Sequence, residues 1–432
     1  MLQLLPLDDS ARLALHDEVH ARPAARIQTP ARVVYVAVLN DGVTRTQEAE
    51  HLRQLPGQQT LDAQALRDNF LRLQLPGYTL KWERHSEFSR YSIVQALDPS
   101  DPGSSDLSTA LRVAPEWLRG LPGRTMAAID LVMLHADIGQ AKALLEKEQW
   151  RFGGASVLAS KLGGGHSCAM TDFQIGADGF ERMLVLAPPD ISDTRAGRIA
   201  QRLLELETYR LMALKGLPVA KSLAPLLAEC ESGLADITAK LDDAGAAEQD
   251  LLAQLIGLAA RVESATAAHS YRFSATQAYD AIVRQRIAEL RELPIPGTQT
   301  LGEFMQRRLS PAMATVAASA QRLAALSQRI ERTSGLLRTR VDIATEAQNH
   351  QLLAQLTRGQ ALQLQLQGTV EGLSIAAISY YVVSLLLYLA KAGKAAGLPL
   401  NPELAAGVMI PLVLWGVWHT VRRIHAKLQL GS

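Results

Sequence analysis

Two stretches near the C-terminus constrain this chain more than any other part of it. Leu373 to Ala390 reads LSIAAISYYVVSLLLYLA and Leu404 to Val421 reads LAAGVMIPLVLWGVWHTV, each 18 residues long and free of Asp, Glu, Lys and Arg. At about 1.5 Å rise per residue, a helix of that length reaches about 27 Å, close to the ~30 Å thickness of a bilayer's hydrocarbon. Trp415 and Trp418 stand near one end of the second run, where interfacial anchors are found. The pair predicts a transmembrane hairpin, with the lipid bilayer as its partner. The alternative is a helical hairpin buried in a soluble core.

The flanks predict an orientation, because cytoplasmic segments retain more Lys and Arg. The short connection, Lys391 to Glu403, carries two lysines, while the other side has Arg338, Arg340 and Arg358 before the first run and Arg422, Arg423 and Lys427 after the second. Both termini are therefore expected in the cytoplasm.

Composition excludes several classes. With 44 Lys and Arg against 43 Asp and Glu, the chain is no strongly basic nucleic-acid binder, and 48% apolar residues exclude wholesale disorder. Aromatic residues make up only 5%, and an apolar content dominated by Leu and Ala favours long helices over a β-sandwich. Cys168 and Cys230 alone form neither a disulfide framework nor a Cys-based zinc site. The start, Met1 to Leu15, carries Asp8 and Asp9 and lacks the pattern of a cleavable signal peptide.

Three regions follow from the pattern. Residues 1–190 read as a mixed α/β cytoplasmic domain, 191–368 as a long helical coiled-coil stalk, and 369–432 as the membrane hairpin with a basic tail; the class is α+β. Candidate strands are Arg32 to Leu39, Tyr78 to Trp82, Arg90 to Ala96, Thr125 to Leu134, Ser156 to Lys161, Ser167 to Ile175 and Phe180 to Ala187, with Ala177-Asp178-Gly179 as a hairpin turn. Ala11 to His20, Gln47 to Gln54, Leu61 to Leu73 and Gly139 to Trp150 read as helices between them. A helix from about Thr194 to Lys215, with Ser192 as cap, leads to the stalk. From Glu229 to Arg291 there is no proline, and Leu234, Ile237, Leu241, Ala244, Leu251, Leu255, Leu258, Val262 and Ala265 fall on a heptad, with Glu248 interrupting one seam position. That spacing predicts one continuous arm. ELPIPGTQT at 292–300 predicts a tight reversal, after which Val316, Ala320, Leu323, Ile330 and Leu337 restore the spacing in an antiparallel partner, with a kink or start at Pro311.

Four constellations are candidates for chemistry. In His16-Asp17-Glu18-Val19-His20 a helix sets two imidazoles one turn apart, similar to the H-E-x-x-H zinc pattern, but Asp17 is too short for the base and no third ligand is near. The other reading is a polar helix end in which His20 and Arg22 bond the turn before Pro23. Trp82-Glu83-Arg84-His85-Ser86-Glu87-Phe88 places Glu83, His85 and Glu87 on one face if the strand runs through it, which offers a general base or a cation site. Its plainer reading is an ion-paired Glu83 and a solvated His85. Gly163-Gly164-Gly165-His166 precedes a strand and reads as a hairpin turn rather than a phosphate cradle. Ser374, Tyr381, Ser384 and Tyr388 line one side of the first run, and hydroxyls inside a bilayer prefer a helix interface or a wet lumen; Gly368-x-x-x-Gly372 just ahead permits close helix approach. No metal or cofactor is assigned.

Several of these segments resemble, in order, an uncharacterised family of bacterial membrane-anchored proteins, domain of unknown function 3422. They are Glu18-Val19-His20-Ala21-Arg22-Pro23, Trp82-Glu83-Arg84-His85 with Glu87-Phe88, Thr171-Asp172-Phe173, Arg338-Thr339-Arg340-Val341, Gln348-Asn349 and Thr369-Val370-Glu371-Gly372-Leu373-Ser374, and the match runs from about Leu13 to Lys427. The resemblance implies an inner-membrane location and no particular activity. It includes His20 more firmly than His16, which weakens a paired-histidine metal site. The layout is also similar to that of the CorA magnesium channels. The Gly-Met-Asn signature of those channels is absent; Ala390-Lys391-Ala392-Gly393 stands there, and only Asn401 and Glu403 of the loop offer oxygen to a cation.

The expectation is an inner-membrane protein that self-associates through its stalk and first span, as a scaffold, sensor or transport-related component. A CorA-like cation channel is the first alternative. A membrane-tethered enzyme using Glu18, His20, Arg22, Glu83, Arg84, His85 and Glu87 is the second.

Overall fold

Strand β1 (Ala31–Leu39) is apolar along nearly its whole length, the pattern of a strand covered on both faces. In the computed structural model it lies inside a nine-stranded mixed sheet. The structure describes residues 9–13, 15, 26–97, 107–153, 156–241, 248–396 and 401–429. The other strands are β2 (Phe70–Leu75), β3 (Tyr78–Arg84), β4 (Phe88–Ala96), β5 (Arg124–His135), β6 (Leu158–Leu162), β7 (Ser167–Ile175), β8 (Glu181–Ala187) and the two-residue β9 (Leu293–Pro294). Their order is β2-β3-β4-β1-β5-β8-β7-β6-β9, antiparallel at every step except the parallel pair β5–β8.

Two elements depart from the sequence reading. Leu61 to Leu73 is not a helix: a short 3₁₀ turn at Ala63–Leu66 is followed by Asn69 in the left-handed region (φ 57°), and FLRLQL then runs as β2 with period-two burial. The reversal at 292–300 also supplies an edge strand, since Leu293 and Pro294 pair with β6.

Alternation divides the sheet cleanly. One face of β1–β4 presents Val34, Val36, Leu80, Trp82, Tyr91 and Ile93 to α1 (Arg45–Leu52) and to the short helices α2 (Leu107–Ala110) and α3 (Pro115–Arg119). Further along, α4 (Ala141–Glu148) covers Val132, Met170 and Leu184. The opposite face is crossed by α5 (Asp193–Leu214), whose N-cap Ser192 accepts from the Arg195 amide as expected.

The heptad run is a hairpin rather than one arm. Helix α6 (Gly216–Leu241) ends where the first half of the repeat ends, and α7 (Glu248–Leu290) carries the second half; Ala244 lies outside the described residues. Gly216 stands against Thr276, Glu229 pairs with Arg261, and Gly233 packs on Leu258, so the two helices run antiparallel. Both halves of one repeat therefore face each other. The long helix α8 (Leu301–Ala395) adds Met305, Leu309, Val316, Leu323 and Ile330 as buried positions, and its Arg322 pairs with Glu231 of α6 at 2.7 Å. Pro311 sits inside α8 without ending it.

The chain divides into two compact units, Met1–Thr333 and Ser334–Ser432, at a point inside α8. The first unit thus takes in α5, α6, α7 and the start of α8 with the sheet. The second holds the rest of α8 and α9 (Pro402–Gln429). Two helical stretches are long and apolar enough to cross a membrane, Asp193–Leu241 and Leu301–Ala395, and Ala406–Val421 is a shorter apolar stretch.

Candidate functional site

The hairpin β3–β4 is polar on the face opposite Trp82 and Tyr91, and that polar face meets α5 rather than water. Register pairs Glu83 with Arg90 and Lys81 with Ser92. Arg90 donates to Glu83 Oε2 at 2.6 Å and to Glu205 of α5 at 3.1 Å; Lys81 Nζ lies 3.1 Å from the same Glu83 oxygen. Glu205 also accepts from Arg286 of α7 at 2.6 Å and from Gln201 at 2.8 Å, and Arg286 reaches Glu289. Strand hairpin, α5 and α7 are therefore joined by one buried ion network.

The network sets its own protonation. Burial pushes the Glu83 carboxyl up, but Arg90 and Lys81 overcome it and bring the group down to about 2. Burial lowers Lys81 in spite of Glu83. Arg90 stays charged, since its partners outweigh its burial. Tyr35 of β1, held up by burial, donates to or accepts from Thr208 of α5 at 2.8 Å beside this cluster.

A narrow cleft opens between this polar face and α5. Strands β2, β3 and β4 contribute Phe70 and Arg72, Thr79, Lys81 and Glu83, and Arg90, Ser92 and Val94; β1 contributes Val33 and Tyr35. Arg26 and Ile27 precede β1, and Gly197, Ala200, Gln201 and Leu204 come from α5.

A second buried cluster lies further along α5. Glu181 of β8 and Glu207 face each other, and Glu207 is clasped by Arg210, with Nε at 2.7 Å. Burial and the Glu207 charge raise the Glu181 carboxyl to about 9, so it holds its proton at neutral pH. Arg210 also lies over the ring of Phe173, 5.1 Å from its centroid. Phe173, at φ 51° in the bulge of β7, stacks on Phe304 of α8.

The family model described as "Protein of unknown function (DUF3422)" matches residues 8–428. The chain belongs to the DUF3422 family. No curated protein matches it.

Against this frame the sequence-predicted residues of the DUF3422 chain separate. Glu18, His20 and Arg22, with His16 and Asp17, lie outside the described residues. Glu83, His85 and Glu87 do not share a strand face, because β3 ends at Arg84 and 85–87 form the turn into β4. Glu83 faces α5, while Arg84 points to the other side and binds Glu48 of α1 at 2.6 Å. His85 stacks on Phe88 with ring centroids 4.6 Å apart. Glu87 accepts from Tyr279 at 2.8 Å and from Arg272, both of α7, and these partners overcome burial to lower its carboxyl. The turn is thus a clasp on α7. Among the described residues no three His, Cys, Asp or Glu side chains are grouped to hold a metal ion.

In the first apolar run, Ser374, Tyr381 and Tyr388 are exposed and Ser384 is half-buried, while the buried hydroxyl of this stretch is Ser379. Asn401 and Glu403 are exposed. Sequence reasoning missed Lys81, Arg90, Glu205 and Arg286. Their only local trace is the alternation of charge in Lys81-Trp82-Glu83 and Arg90-Tyr91-Ser92, which reads equally as a solvent face.

Proposed function

We propose that this protein is anchored in a membrane by a two-span hairpin, Leu373 to Val421, and carries its α/β unit on the cytoplasmic side as a self-associating scaffold or sensor. One observation carries the reading. The most apolar window of Leu301–Ala395 has a mean hydropathy of 2.0, and only 6% of it is covered by protein. The corresponding window in Asp193–Leu241, which lies in the same unit as the sheet, is 33% buried. Uncovered apolar surface of that extent calls for hydrocarbon as its solvent. Lys and Arg on either flank support the cytoplasmic placement of both termini.

Cell fractionation tests it. The full chain is expected in the membrane pellet, resistant to alkaline carbonate and released by detergent; a folded chain in the supernatant overturns the reading. Both native cysteines are buried, so a cysteine placed at Lys391 is the reactive one for orientation, and it should label from outside the inner membrane.

Self-association is supported by outward-facing Tyr381 and Tyr388, each 68% exposed, and by a run of exposed leucines including Leu352, Leu356 and Leu366 ahead of the span. Tyr381→Cys is expected to give intersubunit disulfides on mild oxidation in native membranes, and monomer alone under all conditions counts against this interface. A cation-conducting assembly of the CorA type is the second reading, favoured by the layout of long helices before two apolar runs. Ion flux into reconstituted vesicles separates the two.

A further inference from the structure

The geometry points to the cleft between β2–β4 and α5 as a binding site for a small organic anion: a slim apolar body with a carboxylate or phosphate at one end and a hydrogen-bond donor at the other. The floor demands the donor. Glu83 is 1% exposed and lines the cleft, both of its basic neighbours converge on Oε2, and its buried Oε1 has no hydrogen-bond partner. A buried carboxylate oxygen left unmatched is costly, and a ligand hydroxyl or amide N–H removes that cost. Lys81 beside it offers an ammonium with three N–H groups, of which Glu83 takes one.

The mouth demands the anion. Arg26 and Arg72 are exposed at the rim and make no ion pair among the described residues. With Lys81 and Arg90 they set four positive charges in the lining against Glu83, and the balance stays positive when Glu205 behind Arg90 is counted. Between floor and mouth the walls are apolar, from Val33, Phe70, Val94 and Leu204, and α5 presents the small residues Gly197 and Ala200 there. Binding sites of small molecules have this composition: mostly apolar walls with a few convergent polar groups.

The test uses the full chain in lipid nanodiscs, titrated calorimetrically with 4-hydroxybenzoate and 4-hydroxyphenyl phosphate, and with neutral 4-hydroxybenzyl alcohol as control. At least one anion should bind saturably at one per chain, at least tenfold more tightly than the alcohol, and the preferred one tells carboxylate from phosphate. Arg72→Glu, a surface change, should weaken that binding at least tenfold with the circular dichroism spectrum unchanged. Absence of saturable binding by both anions overturns the proposal, as does equal binding of the alcohol or indifference to Arg72→Glu. None of these outcomes depends on how the chain meets the membrane, so the anchoring proposal and this one fail separately.

Discussion

Replacement of Arg90 by methionine is expected to lower the unfolding free energy by about 3–5 kcal/mol, because it leaves Glu83 and Glu205 buried without the cation they share. The two carboxylates are on different elements, β3 and α5, so the loss falls on the junction between the hairpin and the helical layer. Denaturation of the full chain in detergent, followed by tryptophan fluorescence, measures it; Trp82 lies fully buried on the reverse side of the same hairpin. Adding Glu205→Gln to Arg90→Met should restore part of the stability, since the amide needs no counter-charge while Glu83 keeps Lys81 and Arg286 keeps Glu289. The pH dependence has a definite sign. Glu83 falls from an ordinary 4.5 to about 2 on folding, so its contribution, about 3 kcal/mol, is complete above pH 4.5 and is lost as pH falls towards 2. In Arg90→Met this acid-side loss should shrink. A variant with the native denaturation midpoint refutes the view that the network is what holds α5 to the sheet.

Much of the sheet was legible because its strands announce themselves by alternation. Ser167–Ile175 has the bounds read from sequence, and β1, β4, β5 and β8 differ from the reading by only one or two residues at an end. β2 escaped because Leu66, Phe70 and Leu73 fit helical spacing as well, and what decides against a helix is Asn69 in the left-handed region, a conformation that spacing does not register. The α6–α7 hairpin escaped for a related reason. A heptad records which positions are buried but not against what, and a repeat from Leu234 to Ala265 with one interruption, Glu248, is the same pattern whether the chain continues straight or folds back on itself there. The ion network was hidden differently: Lys81, Glu83, Arg90 and Ser92 look like a wet strand face, and only the placement of α5, a contact more than a hundred residues away in sequence, makes that face an interior.

The Glu181–Glu207 pair gives the larger effect on the alkaline side. Glu181→Gln is expected to stabilise the protein at pH 8 by at least ~2 kcal/mol and to leave it little changed near pH 4.5. In the folded chain Glu181 keeps its proton up to about pH 9, whereas the unfolded chain releases it near 4.5. The unfolded state therefore binds fewer protons across that interval, and stability is full below pH 4.5 and declines, by up to ~1.4 kcal/mol per unit, until the folded group titrates. Glutamine is neutral and keeps an N–H to offer Glu207, so the decline disappears in the variant. Thermal melts of both proteins between pH 5 and 8.5 check this: the native midpoint should fall with pH and the variant's should stay level, and parallel slopes refute the shared proton. Glu207→Gln separates charge from packing, because it removes the repulsion that lifts Glu181 but leaves Arg210 without its carboxylate. Since Arg210 also lies over Phe173, which stacks on Phe304, the alkaline loosening should reach the β7 bulge and the start of α8 first. Amide exchange in residues 171–175 should quicken with pH in the native chain, beyond the intrinsic dependence, and not in Glu181→Gln.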